Sequence, residues 1–427
     1  MNAIAIARVT QSGVVRVGKI IRSLRRATFR YDAEYLSNNC SMPLSRSLPL
    51  RSEEYEEDEF RPYFEGLLAE GPTRDALAAE LGVKSDDYLS VLALCGRDCI
   101  GDVLAWNEVA DQEPSCNGLS EIPISEKELR VFFRGLPEAA EQNAESRLSL
   151  AGNQNKIGLR REGDAWFRPL GLAATTHILK ASNLRDIPEI EFLCMKAAAA
   201  CGIAAANVRL CDYGRPVLAV ERFDRRIVGG PGRLVVERLH QEDLAQAFGV
   251  LPVGKYAELD GGSVERIAAL IRKNSANPIA DIAELAKTLC FNYAIGNCDA
   301  HLKNYSLVSG SAVSGKVTIS LAPAYDLVST TYCPRFDHDL AMNYGDTRDI
   351  DEVGVSCFAG VAKALGMAPK NLAKLAKPIV DGLDSAVRDA GDGKYGEVLE
   401  TTPYVADNLR DDMACRLEVL GAFVDTA

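Results

Sequence analysis

The spacing of hydrophobic and polar positions changes several times along this chain. In residues 3–31 apolar residues alternate weakly with polar ones and glycines interrupt the run, as in short antiparallel strands. Residues 61–82 instead have a helical spacing, with Thr73 as a candidate N-cap and Gly82 just past the end. The first part of the chain is therefore predicted to form a small β-meander followed by helix.

A stretch rich in Pro, Asn, Glu and Gly follows, from about residue 107 to 146. It contains one helix-like segment, "SEKELRVFFRGL", and is the first predicted domain boundary. Strand patterns then resume in "LSLAGNQNKIGLRRE", "AWFRPLG" and "TTHILKAS", and "IPEIEFLCMKAAAACG" predicts a helix ended by Gly202. This second block is predicted to be β-rich with one embedded helix.

Beyond "HQEDLAQAFG" the pattern becomes helical and is interrupted by one predicted hairpin, "YSLVSGSAVSGKVTISLAP". Strands and helices are thus segregated along the chain, which indicates an α+β fold. We predict three parts, residues 1–110, 111–221 and 222–427. The junction between the β-rich and helical parts is where a ligand site is expected.

Composition narrows the class of protein. The 427 residues are 47% apolar and 25% charged, which is ordinary for a globular protein of two or three domains. No apolar run of about 18 residues and no signal-peptide pattern occur, so we expect a cytoplasmic chain without membrane association. Twelve Cys without a CxxC pair, and only four His, argue against a zinc or disulfide framework. The net charge of −12 argues against a nucleic-acid surface over the whole molecule.

The stretch "AIGNCDAHLKNYSLV" places several polar side chains between a helical pattern and a strand pattern. Asp299 precedes Asn304 by five residues, and Asp326 follows the predicted hairpin in "LAPAYDLVST". A protein kinase needs an Asp to accept the proton of the attacking hydroxyl, and an Asn and a second Asp to hold metal ions on the phosphates. These three residues follow that chain order. A solvated loop is the alternative, since Asp and Asn are common in loops.

Residues upstream offer an ATP-binding half. Lys180 ends the apolar strand pattern "HILK", and Glu191 in the next helix is a candidate ion-pair partner. Gly152 and Gly158 flank a polar tip in "SLAGNQNKIGL" that could cover phosphates with backbone N–H groups, although no GxGxxG loop is present. "VLAVERFD" has the pattern of a hinge strand. Taken singly, a lysine at a strand end is more often a surface residue whose stem lies along apolar surface.

His301 and Lys303 have two open interpretations. A neutral His could bond a phosphate or a nucleotide group, and Lys303 could neutralise charge on the transferred phosphoryl group. The alternative is a supporting His and a solvated Lys.

The motifs taken together resemble the HipA family of toxin-like serine/threonine kinases. The resemblance rests on "SLAGNQNKIGL", "HILKAS", "EFLCM", "VERFDR", "RLHQEDLAQAFG", "IGNCDAHLKN" and "APAYDL", in that order. Earlier motifs, "FRYDAEYL", "SLPL", "RPYFEGLLAEG" and "LCGRDCIGDV", resemble the N-terminal subdomain of that family. The resemblance spans about residues 5 to 345.

This resemblance implies a role for each matching residue. Asp299 would be the catalytic base, Asn304 and Asp326 would hold Mg²⁺, and Ser149 would be the autophosphorylated serine. Lys180 would hold the ATP phosphates, and the backbone of Glu221 and Phe223 would bind adenine, with Asp224 near the ribose. The other implied nucleotide contacts are Ala151, Gly152, Asn153, Gln154, Asn155, Lys156, Gln241, His301, Lys303 and Tyr325.

The resemblance also implies a bilobal, protein-kinase-like fold. Residues 1–110 would be an extra N-terminal β-rich subdomain, residues 111–221 the kinase N-lobe, and residues 222–427 a mostly helical C-lobe. ATP and Mg²⁺ would be the cofactors. The implied partners are a helix-turn-helix, HipB-like antitoxin, operator DNA reached through it, and a translation-related protein substrate such as an aminoacyl-tRNA synthetase, whose phosphorylation arrests growth.

Two other functions remain open from the sequence. One is a small-molecule or lipid-type kinase, since Asp-x-His-x-x-Asn loops also resemble phosphoinositide-type kinases. The other is an inactive nucleotide-binding module that acts through antitoxin and DNA. The chain departs from the family pattern at Ile190, where Asn is usual, and at Asn155, where an acidic residue is frequent. Neither departure removes the base or a metal ligand, so an active kinase is expected.

Overall fold

The chain divides into two compact units. The computed structural model describes residues 3–23, 26–114, 120–134, 155–228, 235–311 and 317–427. The first unit comprises Met1–Ala181, Tyr213–Arg215 and Glu221–Gly254, and the second comprises Ser182–Asp212, Pro216–Val220 and Lys255–Ala427. The three-part division at residues 110 and 221 stays a prediction.

Strands are concentrated in the first unit. In chain order, the described strands are Ala3–Thr10 (β1), Gly13–Arg22 (β2), Ala27–Tyr31 (β3), Tyr55–Glu56 (β4), Val103–Asn107 (β5), Ser120–Ile124 (β6), Asn155–Glu162 (β7), Ala165–Leu170 (β8), His177–Ala181 (β9), Val208–Asp212 (β10), Pro216–Glu221 (β11), Arg225–Val228 (β12), Val235–Arg238 (β13), His240–Asp243 (β14), Ser306–Ser311 (β15), Val317–Leu321 (β16), Asp339–Tyr344 (β17) and Thr347–Asp349 (β18).

The longer helices are concentrated in the second unit. In chain order, the described α-helices are Ala33–Ser37 (α1), Glu57–Gly66 (α2), Gly71–Glu80 (α3), Tyr88–Cys95 (α4), Glu126–Phe132 (α5), Ile187–Ala200 (α6), Leu244–Phe248 (α7), Ser263–Asn274 (α8), Pro278–Ala294 (α9), Val355–Ala364 (α10), Pro369–Gly391 (α11) and Thr402–Thr426 (α12). Short 3₁₀ turns occur at Pro252–Gly254, Leu302–Asn304 and Ile350–Glu352. None of the helices in the described ranges is both long and apolar enough to cross a bilayer.

The N-terminal sheet has the strand order β4-β3-β2-β1-β5 with antiparallel neighbours. Alternate residues such as Ile4, Ile6 and Ile20 are buried in one cluster with aromatic residues including Phe29 and Phe64. This alternation follows from the two-residue period of a strand. The β-meander predicted for residues 3–31 is confirmed.

The helix predicted over residues 61–82 is two helices, α2 and α3. The second begins at Gly71, with Glu70 at the N-cap position, so the prediction of Thr73 as N-cap was wrong. The physical reason is Pro72, because proline's fixed φ and missing N–H favour the first helical positions. Gly82 follows the helix with φ +67°, which confirms the predicted end.

A second group of antiparallel strands in the first unit brings two predicted site residues together. Strands β9, β7, β8 and β6 are neighbours in that order. The register sets Lys156 of β7 directly opposite Lys180 of β9. Directly opposed residues point to the same face of a sheet. Both lysines therefore project from one face.

The second unit is built mainly from helices. Helix α11 packs against α6, α9 and α12. In α9 the apolar positions Ile282, Leu285, Leu289 and Tyr293 are all buried, as their spacing predicts. The predicted hairpin after α9 is confirmed by the antiparallel pairing of β15 with β16. Strand-rich and helix-rich parts are thus segregated along the chain.

Candidate active site

The loop after α9 carries the predicted catalytic residues. The helix ends at Ala294, and Gly296 turns the chain with φ +73°. Buried Asn297 then accepts a hydrogen bond from the N–H of Asp299 at 3.0 Å and donates to Asn292 Oδ1 at 2.9 Å. Side-chain amides from the helix and the loop therefore fix the backbone that presents Asp299.

Asp299 and Asn304 are held together. The carbonyl oxygen of Asp299 accepts hydrogen bonds from Asn304 Nδ2 at 2.9 Å and from the N–H of His301 at 2.7 Å. The side chain of Asp299 is 44% exposed, so its carboxylate is accessible from solvent. The spacing of five residues seen in the sequence is thus one tight turn, formed by the 3₁₀ segment Leu302–Asn304.

A buried polar network supports this loop from the C-terminal helix. Thr330 Oγ1 accepts from the N–H of Cys298 at 2.9 Å and donates to the carbonyl of Gly296 at 3.0 Å. Thr331 Oγ1 donates to Asp412 Oδ2 at 2.8 Å. Asp412 lies in α12, so this helix helps to hold the loop after α9.

His301 is a buried neutral imidazole. Its Nε2 lies 3.9 Å from Asp299 Oδ1, and its buried Nδ1 has no hydrogen-bond partner within the described ranges. Burial lowers its pKa to about 3, with the charge of Lys255 acting in the same direction and Asp326 opposing it. A neutral ring beside the carboxylate suits contact with a nucleotide better than proton donation at neutral pH.

Tyr325 and Asp326 follow the hairpin in the chain and lie beside the loop after α9. Tyr325 Oη lies 2.8 Å from the carbonyl of Lys303, to which it donates, and 2.6 Å from Ser306 Oγ. Asp326 has φ +58°, a left-handed conformation that is uncommon for a residue other than glycine. Such backbone strain persists at functional sites when the surroundings over-determine it. The second unit therefore brings Asp299, His301, Lys303, Asn304, Tyr325 and Asp326 together.

The donor set here fits Mg²⁺. Asn304 Nδ2 donates to the carbonyl oxygen of Asp299, so the amide oxygen of Asn304 points away from that carbonyl and can bind a metal ion. Asp326 supplies a carboxylate. No group of three or more His, Cys, Asp or Glu that could hold a metal exists among the described residues. Mg²⁺ does not need such a group, because it is usually bound by one or two protein oxygens together with substrate phosphates and waters.

In the first unit, Lys156 and Lys180 are both half-buried on one sheet face. Like charges placed directly opposite each other disfavour the sheet by themselves. Lysine ammonium groups on one sheet face are of the kind that bind phosphate oxygens. Glu191 lies buried in α6 of the second unit, so its ion pair with Lys180 stays a prediction.

In the predicted hinge motif "VERFDR", the turn from Glu221 to Arg225 lies in the first unit. Glu221, at the end of β11, is exposed, and Phe223 is half-buried. Asp224 is buried, and its carboxylate accepts hydrogen bonds from Arg222 Nη2 at 2.7 Å, Arg225 Nη1 at 2.8 Å and the N–H of Gly101 at 2.7 Å. The turn is thus anchored by an ionic cluster.

This ionic cluster also contains a second carboxylate. Asp98 accepts from Arg225 Nη2 at 2.9 Å and from Thr175 Oγ1 at 2.8 Å, and Arg238 lies 3.0 Å from it. Burial alone would raise the pKa of both carboxyls, but the arginines outweigh it and hold the pKa of Asp98 and Asp224 below the usual range. The role of Asp224 beside a ribose stays a prediction.

The remaining predicted residues have simple placements. Gln241 is buried in β14 of the first unit. The described residues do not include the predicted autophosphorylated serine, Ser149, or most of the predicted phosphate-covering loop, Ala151, Gly152, Asn153 and Gln154. The side chain of Asn155 also lies outside the described part.

Tyr256 is a candidate site residue that sequence reasoning missed. Its Oη donates to Asp299 Oδ1 at 2.5 Å, and its ring meets the His301 ring edge-on with centroids 5.0 Å apart. Tyr256 lies 43 residues before Asp299, and nothing in the local pattern of "VGKYAEL" pairs the two.

Two family models match this chain. A family model described as the HipA N-terminal domain matches residues 9–105, and one described as the HipA-like C-terminal domain matches residues 148–387. The chain belongs to the HipA family. The resemblance recognised from the sequence is therefore confirmed.

Relatives of this HipA family member are similar over most of their length. The Sinorhizobium fredii protein Y4mE is 35% identical over 371 residues, 84% of this chain and 85% of that protein. The serine/threonine-protein kinase toxin HipA of Shewanella oneidensis is 30% identical over 342 residues, 77% of this chain and 76% of that protein. Kinase activity is thus supported at the level of the family.

A solved structure supports the fold. The Shewanella oneidensis MR-1 HipA, solved in complex with HipB and its operator DNA, matches with a TM-score of 0.81 over 99% of this chain and 98% of that one, at 24% identity. The predicted α+β fold is confirmed, and this HipA family member shares the fold of that toxin.

Proposed function

We propose that this chain is an ATP-dependent serine/threonine protein kinase of the HipA toxin type. The observation that carries the proposal is the loop after α9, where Asn304 Nδ2 donates to the backbone of Asp299 at 2.9 Å and the Asp299 carboxylate remains 44% exposed. A base of this kind must be held firmly and still reach an acceptor hydroxyl.

In the proposed reaction Asp299 accepts the proton of the acceptor hydroxyl as its oxygen bonds to the γ-phosphorus of ATP and ADP leaves. Asn304 and Asp326 would hold Mg²⁺, which when bound neutralises charge on the phosphates. Lys180 and Lys156, opposed on one sheet face, would bind phosphate oxygens. The ATP phosphates would thereby offset the repulsion between the two lysines.

The rest of the nucleotide would be bound at the hinge turn. We assign adenine to the backbone of Glu221 and Phe223, because the ionic cluster fixes that turn through Arg222 and Asp224. Asp224 would then lie near the ribose. Neutral His301, Lys303, Gln241 and Tyr325 are assigned to the nucleotide pocket, as are the loop residues Ala151, Gly152, Asn153, Gln154 and Asn155.

Ser149 is proposed as the site of autophosphorylation. A phosphate there adds a charge of about −1.5 to −2 at pH 7. Placed beside the loop that would cover the phosphates of ATP, this charge repels them and disfavours ATP binding. Autophosphorylation would therefore switch the kinase off.

The proposed partners follow from the relative of known structure. That HipA was solved with HipB and its operator DNA, which supports a helix-turn-helix antitoxin for this chain and DNA association through it. The proposed protein substrate is a translation component such as an aminoacyl-tRNA synthetase, whose phosphorylation would arrest growth.

The experiment that tests the function class uses γ-labelled ATP and Mg²⁺ with the purified chain, alone and with cell extract. The proposal predicts labelled polypeptide, and none with Asp299→Gln. Label that appears only in small metabolites would favour a small-molecule or lipid-type kinase. No label in either fraction, with ATP still bound, would favour an inactive nucleotide-binding module.

A further inference from the structure

The segment Lys255–Glu258 runs along the catalytic loop of the second unit. The carbonyl of Lys255 accepts from the N–H of Leu302 at 3.4 Å. The carbonyl of Tyr256 accepts from Arg348 Nη2 at 3.1 Å, and Arg348 also donates to carbonyls of β17. Backbone hydrogen bonds therefore connect Lys255 to the loop and Tyr256 to the β17–β18 hairpin.

The hairpin is itself tied to the loop, because the N–H of Ala341 in β17 donates to the carbonyl of Cys298 at 3.0 Å. Glu258 Oε2 accepts from the N–H of Asn343 in the same strand at 3.2 Å. Tyr256 and Asp299 are therefore parts of one hydrogen-bonded frame, and the side chain of Tyr256 reaches Asp299 from a fixed position.

The contact itself is made by the phenol. Tyr256 Oη donates to Asp299 Oδ1 at 2.5 Å, and the ring packs edge-on against buried His301. Lys255 Nζ lies 5.4 Å from the centre of the Tyr256 ring. Tyr256 is 45% exposed and the side chain of Asp299 is 44% exposed, so the carboxylate stays accessible to solvent beside the phenol.

A half-exposed carboxylate can rotate between orientations, and a general base must present one oxygen to the incoming proton. We propose that Tyr256 is a positioning residue for Asp299: its hydroxyl holds Oδ1, so that Oδ2 is the atom that takes the acceptor's proton. This inference rests on the proposed role of Asp299 as base. No other part of the proposed function assigns a role to Tyr256.

The proposed transfer makes one bond to phosphorus and breaks one. The acceptor oxygen forms a bond to the γ-phosphorus, and the bond from that phosphorus to the bridging oxygen of ADP breaks. The acceptor's proton moves to Asp299 Oδ2, while the phenol proton stays on Tyr256 Oη throughout. Tyr256 therefore neither gains nor loses a proton and acts only through Asp299.

Tyr256→Phe removes the hydroxyl and keeps the ring against His301. The matched control is Tyr404→Phe, which removes a hydroxyl from an exposed tyrosine of α12. The single-turnover rate of phosphate transfer at saturating ATP is expected to fall about tenfold in Tyr256→Phe, as for loss of one hydrogen bond to a charged group. The Kd for ATP and the Tm are expected to be unchanged, and the control is expected to match the wild type.

The outcomes separate this inference from the proposed function. A wild-type or faster rate in Tyr256→Phe, with Asp299→Gln inactive, overturns the positioning role and leaves Asp299 as base. A fall in rate accompanied by weaker ATP binding or a lower Tm also overturns the positioning role. A general structural role of Tyr256 would change the transfer rate, the Kd for ATP and the Tm together. If Asp299→Gln transfers phosphate at the wild-type rate, the proposed base is wrong and the inference falls with it.

Discussion

At the scale of single residues, the proposed phosphate contacts are two lysines that face each other across β7 and β9. Lys156 and Lys180 occupy directly opposed positions, so their side chains lie on the same face of the sheet. Two ammonium groups on one sheet face could bind the oxygens of one phosphate chain. The pair therefore supports the phosphate role that the sequence predicted for each lysine.

Replacing Lys180 tests this role. Lys180→Gln is expected to raise the Kd for ATP about tenfold or more, since a charge-assisted bond to phosphate is lost. The Tm of the nucleotide-free protein, measured alongside, distinguishes loss of a phosphate contact from a general loss of fold stability. Titration of ATP followed by fluorescence, with thermal unfolding alongside, measures both.

The control for this pair is Lys127→Gln, at an exposed lysine of α5 in the same unit. It should leave both the Kd and the Tm at wild-type values. An unchanged Kd for ATP in Lys180→Gln would remove Lys180 from the phosphate site.

At the scale of elements, the turn at Gly296 joins α9 to the loop that carries the proposed base. Its φ of +73° lies in the left-handed region, and a Cβ built there would lie 2.0 Å from Thr331 Oγ1 and 2.7 Å from Arg416 Nη2. A side chain is therefore excluded both by conformation and by the polar network that connects the loop to α12.

Gly296→Ala is expected to unfold the second unit more easily and to lower phosphate transfer. The left-handed conformation alone costs about 1–2 kcal/mol, and the contact with Thr331 adds to it. Gly202→Ala is the matched control, because Gly202 has φ +78° with no atom within 4 Å of the built Cβ. Denaturant unfolding should show a larger loss of free energy for Gly296→Ala; equal losses would contradict the proposed crowding.

The elements themselves were largely predictable, and their partners were not. Periodicity in "IADIAELAKTLCFNYAIGN" identified α9. The order of Asp299, Asn304 and Asp326 after this helix indicated that they belong to one site. The start of α3 was misplaced because Pro72 favoured an earlier start than Thr73. The contact of Tyr256 with Asp299 joins residues far apart in sequence, and periodicity carries no information about such pairs.

At the scale of the whole molecule, buried charges make stability depend on pH. Asp98 and Asp224 are buried among arginines that hold the pKa of each carboxyl below its unfolded value of about 3.9. In the folded state these groups bind fewer protons than in the unfolded state. Their contribution is therefore fully present above about pH 4 and is lost as the pH falls toward the folded-state values.

Asp224→Asn tests this cluster. Leaving Arg222 and Arg225 without this carboxylate is expected to cost about 3–5 kcal/mol of unfolding free energy at pH 7. It should also weaken the acid-dependent loss of stability below about pH 4, because one of the two depressed carboxyls is gone. Unfolding in denaturant across pH 3–7 measures both, with exposed Asp260→Asn as control. An acid dependence equal to the wild type would show that Asp224 does not contribute.

The fold class and family were predictable because many separate motifs agreed in chain order. The ionic cluster around Asp224 was not predictable, because its members come from segments near residues 98, 175, 222 and 238 that only the fold brings together. A sequence shows which residue types are present. The arginines around Asp224 that lower its pKa, and the burial of His301 that lowers its own, exist only in the folded chain.

The central proposal is that Asp299 is the base of a protein kinase that phosphorylates its own Ser149. The most direct measurement is mass spectrometry of the peptide containing Ser149, from wild type and Asp299→Gln incubated with ATP and Mg²⁺, with Asp260→Gln as control. Phosphate at Ser149 is predicted in the wild type and the control, and none in Asp299→Gln with ATP binding intact. Equal phosphate at Ser149 in all three proteins would contradict the assignment of Asp299.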